Sequence, residues 1–269
     1  MTAITWQGIA LDDIAGGAVE VLEVVRPMGP APRDVRLDVP GRAGSWLYVE
    51  EPGDVELVAR FAYVGTDFAD RRTVIGNLAA WLYAPDAAAR IIVDDEPDRF
   101  WRGRVAEAPT PRELLLLAEF DVRWIVEPFA MSTTVSHLST TSSTAGSFGP
   151  ATFTGGGHVK TPPSIQISAS SAGISGGFVL AVNGTELVYS ADLGPLESVT
   201  VSTVTGLVVA GAGVDTELTG AVDLNALDMR LVSGDFGDIV AGDNTVTVTP
   251  ADSSVGNTIT IDYRRRFLA

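Results

Sequence analysis

The spacing of apolar residues divides this chain into one helix and many strands. Over residues 67–84, DFADRRTVIGNLAAWLYA, the side chains Phe68, Val74, Ile75, Leu78, Trp81 and Leu82 recur near every 3.6 residues, the period that gathers them on one side of an α-helix. Thr66 or Asp67 is placed to cap its first turn, and Asp70 sits where the positive end of the helix dipole favours an anion. Pro85 ends the helix, because proline has no N–H to continue the hydrogen-bond ladder. Gly76 costs about 1 kcal/mol relative to alanine inside a helix. It is therefore either tolerated or present because something packs close to the backbone.

Elsewhere the period is two. Over residues 113–125, Leu114, Leu116, Ala118, Phe120, Val122 and Trp124 face one way, and Glu113, Glu119, Asp121 and Arg123 face the other. Strands are also predicted at 18–27, 45–50, 55–64, 90–93 and 99–106. A proline-rich loop, PMGPAPRDV, follows the first of these, and Pro40-Gly41 reads as a turn. The helix is predicted to be the lid on a sheet built from residues 1–129.

Residues 130–163 are rich in Ser, Thr and Gly and hold no sustained apolar period. They read as a linker, or as an extended arm that orders only against a neighbour. Residues 164–269 give short strands at 164–170, 177–182, 185–191, 196–203, 206–210, 228–233, 244–249 and 257–263. Asn183-Gly184 between two apolar runs is a hairpin signal. Many short strands without helices predict a jelly-roll β-sandwich, so the chain is expected to be mainly β.

Composition narrows the function. The chain of 269 residues carries a net charge of −16, with Lys160 its only lysine against 17 arginines. Both halves are acidic: 13 basic and 22 acidic residues in 1–129, 5 and 12 in 130–269. This disfavours a nucleic-acid-binding surface, which needs clustered cations to neutralise phosphate. The absence of cysteine excludes disulfides, thiolate metal sites and thiol catalysis. The N-terminus lacks a basic region followed by an apolar run, so no secretory signal is expected. No apolar stretch reaches the ~18–20 residues that a spanning helix needs.

Candidate chemistry is sparse. His137 and His158 lie in the polar segment and read as solvated loop histidines. The acidic run Asp94 to Asp98 lacks the spacing of a calcium loop. It reads as a solvated turn that keeps strand ends from pairing with strangers. There is no nucleophile elbow and no glycine loop that leads into a helix to cradle phosphate. Arg264-Arg265-Arg266 reads as an ion-pairing run, and Trp81, Trp101 and Trp124 as core. No catalytic, cofactor or metal site is expected, and the protein is not expected to be an enzyme.

Five short motifs in order resemble the N-terminal domain of the distal tail (Dit) proteins of long-tailed, siphovirus-like bacteriophages. Val25-Arg26-Pro27 ends the first strand. The turn Asp38-Val39-Pro40-Gly41-Arg42-Ala43-Gly44 is similar to the family's V-P-G-R-D-G, with Ala43 in place of the usual acid. Ala80-Trp81-Leu82 is similar to its A-x-W-L. The run through Asp95, Pro97 and Arg99 to Trp101 is similar to its D-D-E-P-D-R-Y-Y, and Glu127-Pro128-Phe129 to its closing D-P-Y/F. The resemblance implies a ring-forming domain over 1–129, a linker or arm over 130–163 and a galectin-like sandwich over 164–269. It implies a hexameric ring in the virion that joins the tail tube protein to the tail-tip hub, with DNA passing through its channel unread. It implies no cofactor. A second expectation is a lectin-like attachment protein. However, residues 164–262 hold only Phe178, Tyr189 and Phe236 as aromatics. The same part in a phage-tail-like particle or gene-transfer agent fits equally.

Overall fold

The computed structural model describes the chain except residues 1–2, 16–17, 39, 41–44, 65, 84–87, 115–116, 144, 150–151, 203–206, 211–230, 253 and 269. It divides into two units. The first runs to Thr133 and takes back Phe267 and Leu268; the second is Thr134–Arg266.

In chain order, the first unit contains β1 (Ile4–Trp6), β2 (Ile9–Ala10), α1 (Leu11–Ala15), β3 (Val19–Val25), β4 (Pro32–Asp38), β5 (Ser45–Pro52) and β6 (Val55–Val64). Then come α2 (Phe68–Leu82), β7 (Ala89–Val93), β8 (Arg99–Val105), β9 (Arg112–Leu114), β10 (Leu117–Val126) and β11 (Ala130–Ser132). The second unit holds β12 (Ser136–Thr141), β13 (Phe153–Gly155), β14 (Ser164–Ser168), β15 (Phe178–Val182), β16 (Thr185–Tyr189) and β17 (Ser198–Ser202). It continues with β18 (Leu207–Ala210), β19 (Leu231–Gly234), β20 (Gly242–Asn244), β21 (Val246–Pro250) and β22 (Thr258–Tyr263); β23 (Arg266–Phe267) ends the chain.

A ten-stranded sheet organises the first unit, in the order β2-β1-β7-β8-β10-β6-β3, with β9 beside β10, β11 beside β8 and β23 beside β11. The long antiparallel pairing of β10 with β6 fixes its register from Leu117↔Val64 to Val126↔Val55. The alternation read from the sequence is obeyed: Ala118, Phe120, Val122, Trp124 and Val126 are buried, and Asp121 and Arg123 exposed. A one-residue slip would turn every one of these to the wrong side. Helix α2 contributes Val74, Leu78, Trp81 and Leu82 to the same buried cluster as Phe61, Tyr63, Phe120 and Trp124. The Phe61 and Phe120 rings stack at 5.3 Å.

The cap falls on Asp67, whose carboxylate accepts from the Asp70 N–H at 2.8 Å. The apolar stripe is narrower than expected, because Phe68 is 60% exposed and Arg71 covers its ring at 5.2 Å. Among the described residues, no atom of another element lies within 4 Å of where a Gly76 side chain would begin, so none packs close there. Part of the expected proline-rich loop is strand β4, paired with β5 in a separate two-stranded ribbon. Pro32 is its first residue, a position where a missing ladder donor is tolerated.

Two larger antiparallel sheets, ordered β12-β22-β14-β17-β18 and β19-β16-β15-β21, and a two-stranded ribbon of β13 and β20 form the second unit. Ile165, Ile167, Val199, Val201, Ile259 and Ile261 of the first share one core with Leu180, Val182, Leu187, Tyr189, Val246 and Val248 of the second. This is a β-sandwich, and the chain is mainly β throughout. Asn183 (φ 52°) and Gly184 (φ 84°) turn the β15–β16 hairpin, the two positive angles that a type I′ turn demands.

The segment 130–163 differs from its expectation as a linker or arm. It carries β11, β12 and β13, and β12 pairs along its whole length with β22 of the same chain. Its Ser/Thr composition hid this, because an edge strand held by backbone pairing needs little apolar periodicity. His137 is accordingly a strand residue and not a loop histidine; its Nδ1 lies 2.6 Å from Asp262 Oδ1. Arg264, first of the run read as ion-pairing, is only 7% exposed.

Candidate functional site

Two of the motifs of the first unit are joined across the fold. Arg26, at the end of the first predicted strand, donates from Nη2 to Asp95 Oδ1 at 2.6 Å. That bond is the main cause holding the Asp95 carboxyl below its ordinary range. Asp95 and Pro97 are exposed in the β7–β8 turn. Arg99, next in that motif, donates to Glu96 Oε1 at 3.2 Å, and its guanidinium lies 4.2 Å from the Phe267 ring centre. Trp81 is buried, and its indole N–H donates to the Ile9 carbonyl at 3.1 Å; Leu82 is buried beside it. Pro128 and Phe129 are half-buried just before β11. Pro40 is an exposed turn residue, and Gly41, Arg42 and Gly44 lie outside the described residues. Each motif was readable singly. With Arg26 and Asp95 separated by 69 positions, the sequence gives no sign that the two meet.

These contacts orient strands and turns. Among the described residues, no three His, Asp or Glu side chains come together as a metal site, and no helix is long and apolar enough to cross a membrane. Phe178 and Tyr189 are buried and stacked on each other at 4.9 Å. Neither can offer a ring to a sugar.

The first unit does present a distinctive surface. Strand β3 ends the ten-stranded sheet with no further strand beyond it among the described residues. Its pairing with β6 is broken by a bulge between Val21 and Glu23. Leu22 and Val25 are each 50% exposed there, and Met28 just beyond is 89% exposed. Sequence periodicity missed these residues, because an exposed aliphatic on an edge strand looks the same as a core one.

Comparison with known proteins bears on this unit directly. Residues 20–123 match the phage tail protein RIFT-related domain. No curated protein matches the sequence. Among solved structures, the chain is similar to the crystal structure of the Dit protein of phage SPP1, described as a paradigm of the hub adsorption apparatus in phages infecting Gram-positive hosts. The TM-score is 0.70 at 17% identity over 100% of both chains. Two structures of the phage p2 baseplate in its activated conformation, with Ca and with Sr, align at a TM-score of 0.43 and 8% identity over 97% of each chain. Residues 20–123 thus match the phage tail protein RIFT-related domain, and the whole chain shares the fold of the SPP1 Dit protein.

Proposed function

We propose that this protein is a structural component of a phage tail tip or baseplate, and that copies of its first unit close into a ring. The observation that carries this reading is a tail-protein domain whose sheet is left open at β3, with Leu22 and Val25 half-exposed along it. An open strand edge is a template for a neighbouring chain. A head-to-tail contact whose rotation closes gives a ring, and the distal tail fold suits a hexamer. In this role the ring joins the tail tube protein to the tail-tip hub, belongs to the virion, and lets DNA pass without specific contact. A surplus of negative charge suits such a channel, because it disfavours adhesion of phosphate. Pro40, Gly41, Arg42, Gly44, Trp81, Leu82, Asp95, Pro97, Arg99, Pro128 and Phe129 act in holding the ring-forming domain, not in chemistry.

Negative-stain images and native mass of the purified full-length protein test the proposal, with six-fold rings as the expected result. Leu22→Glu combined with Val25→Glu is expected to abolish rings while the protein stays folded, because charge on an edge strand blocks pairing. A parent protein that stays monomeric at high concentration, or an edge variant that still forms rings, counts against it.

A further inference from the structure

The outward side of the ten-stranded sheet, away from α2, has a lopsided charge pattern that pairing at strand edges does not use. Arg90 on β7 and Arg102 on β8 are direct register partners. Like charges placed opposite each other weaken a strand pair. Arg104 follows two residues along β8, on the same side of the sheet. Arg90 and Arg104 are exposed, and neither forms an ion pair among the described residues. Arg102 has Glu127 at 3.8 Å. Three arginines thus stand together on a chain whose net charge is −16.

Beside them the same side is acidic. Arg104 is the register partner of Ile125 on β10, and Ile125 is the partner of Glu56 on β6. The two patches therefore share a row, two strand spacings or about 10 Å apart. Asp54, Glu56 and Glu107, with Arg123 and Ile125, line an open cavity of about 430 Å³. Arg123 reaches Glu56 at 3.5 Å and Glu107 at 3.8 Å, which leaves carboxylates in excess in a space wide enough for another side chain.

We propose that this side of the sheet docks a second copy of the same chain. The copies face each other about a two-fold axis, so that Arg90, Arg102 and Arg104 of each meet the acidic cavity of the other. Charge complementarity selects the occupant. An acidic protein repels polyphosphate, while a second copy supplies a carboxylate-lined recess matched to these arginines. The two patches lie side by side and face one way, so a two-fold rotation exchanges them; a head-to-tail contact would need them on opposite sides. The contact uses β6, β7, β8 and β10 and leaves the β3 edge free.

Complementary charge reversal in the full-length protein tests the proposal, read by sedimentation velocity at low ionic strength. Arg90→Glu/Arg102→Glu/Arg104→Glu and Glu56→Arg/Glu107→Arg are each expected to weaken self-association on the order of tenfold or more. An equimolar mixture of the two is expected to restore it, because each then offers the patch the other lacks. Circular dichroism confirms folding, and Arg104→Ala is the milder variant should the triple change destabilise the sheet. Unchanged association in both variants, or a folded mixture that does not re-associate, overturns the proposal. So does binding of duplex DNA by the parent that rising salt weakens and the arginine changes abolish, which would make the patch a nucleic-acid surface. Ring formation is scored separately by electron microscopy. The charge variants keep any ring and lose the two-fold contact, whereas Leu22→Glu/Val25→Glu does the reverse.

Discussion

One carboxylate fixes the start of α2. Asp70 accepts from the Tyr63 hydroxyl at 2.9 Å, from the Thr66 N–H at 3.1 Å and from the Thr66 hydroxyl at 3.0 Å. The Thr66 N–H, then the Tyr63 and Thr66 hydroxyls, hold its carboxyl below the ordinary range. Stability from this group is present above the unfolded pKa and lost as pH falls through the folded one. Tyr63 moves the other way: burial first, and the Asp70 contact second, push its phenol from 10.0 to about 12. Its share of stability is intact below pH 10.0 and is lost as pH rises toward about 12. Thermal unfolding against pH checks both. In Tyr63→Phe the alkaline decline is expected to flatten. In Asp70→Asn the melting temperature is expected to drop at neutral pH, and the gap from the parent to close under acid. If Tyr63→Phe kept the parent's alkaline slope, Tyr63 would be removed as the cause.

Between strands, spacing is set by side chains too small to notice in a pattern. Gly103 lies where β8 meets β10; a Cβ there would come within 2.4 Å of the Ile125 carbonyl oxygen and 2.6 Å of a Val126 methyl. Gly103→Ala is therefore expected to force the strands apart and cost roughly 1–3 kcal/mol, read as a lower denaturant midpoint with unchanged slope. A midpoint equal to the parent's would show that the strands adjust freely. The elements that sequence pattern revealed are those with a long buried side: β10 through five alternating apolar residues, and α2 through Val74, Leu78 and Trp81. Those it hid are short or polar. β1, β2 and α1 span three, two and five residues, less than the repeat needed to declare a period. β12 is held instead by its ladder with β22 and by hydroxyl contacts such as Thr141 to Thr258 at 3.0 Å. For the candidate site, the motif residues could be read from the sequence but their partners could not, because which strands lie side by side is decided by the whole sheet.

The chain as a whole leaves its first unit at Thr133 and comes back to it at Phe267. The last strand, β23, lies beside β11, which in turn lies beside β8. Phe267 is 8% exposed and belongs to the first unit's buried cluster, under the guanidinium of Arg99. Its ring adds a cation–π contact, worth most when shielded from water, to the apolar area it buries. A residue at the very end of the chain thus helps to close a core whose other members all precede it by more than a hundred positions. Phe267 thereby ties β23 and β11 to the first unit's buried cluster beside β8. Phe267→Ala is expected to cost roughly 3 kcal/mol, at the low end for truncating a buried aromatic residue. Its effect should be local to the first unit: hydrogen exchange in the full-length protein should rise in β8 and β11 while β14 and β17 keep their protection. Equal loss in both units would mean that they unfold together, and no loss in β8 would mean that the terminal strand merely rests on a core already complete without it.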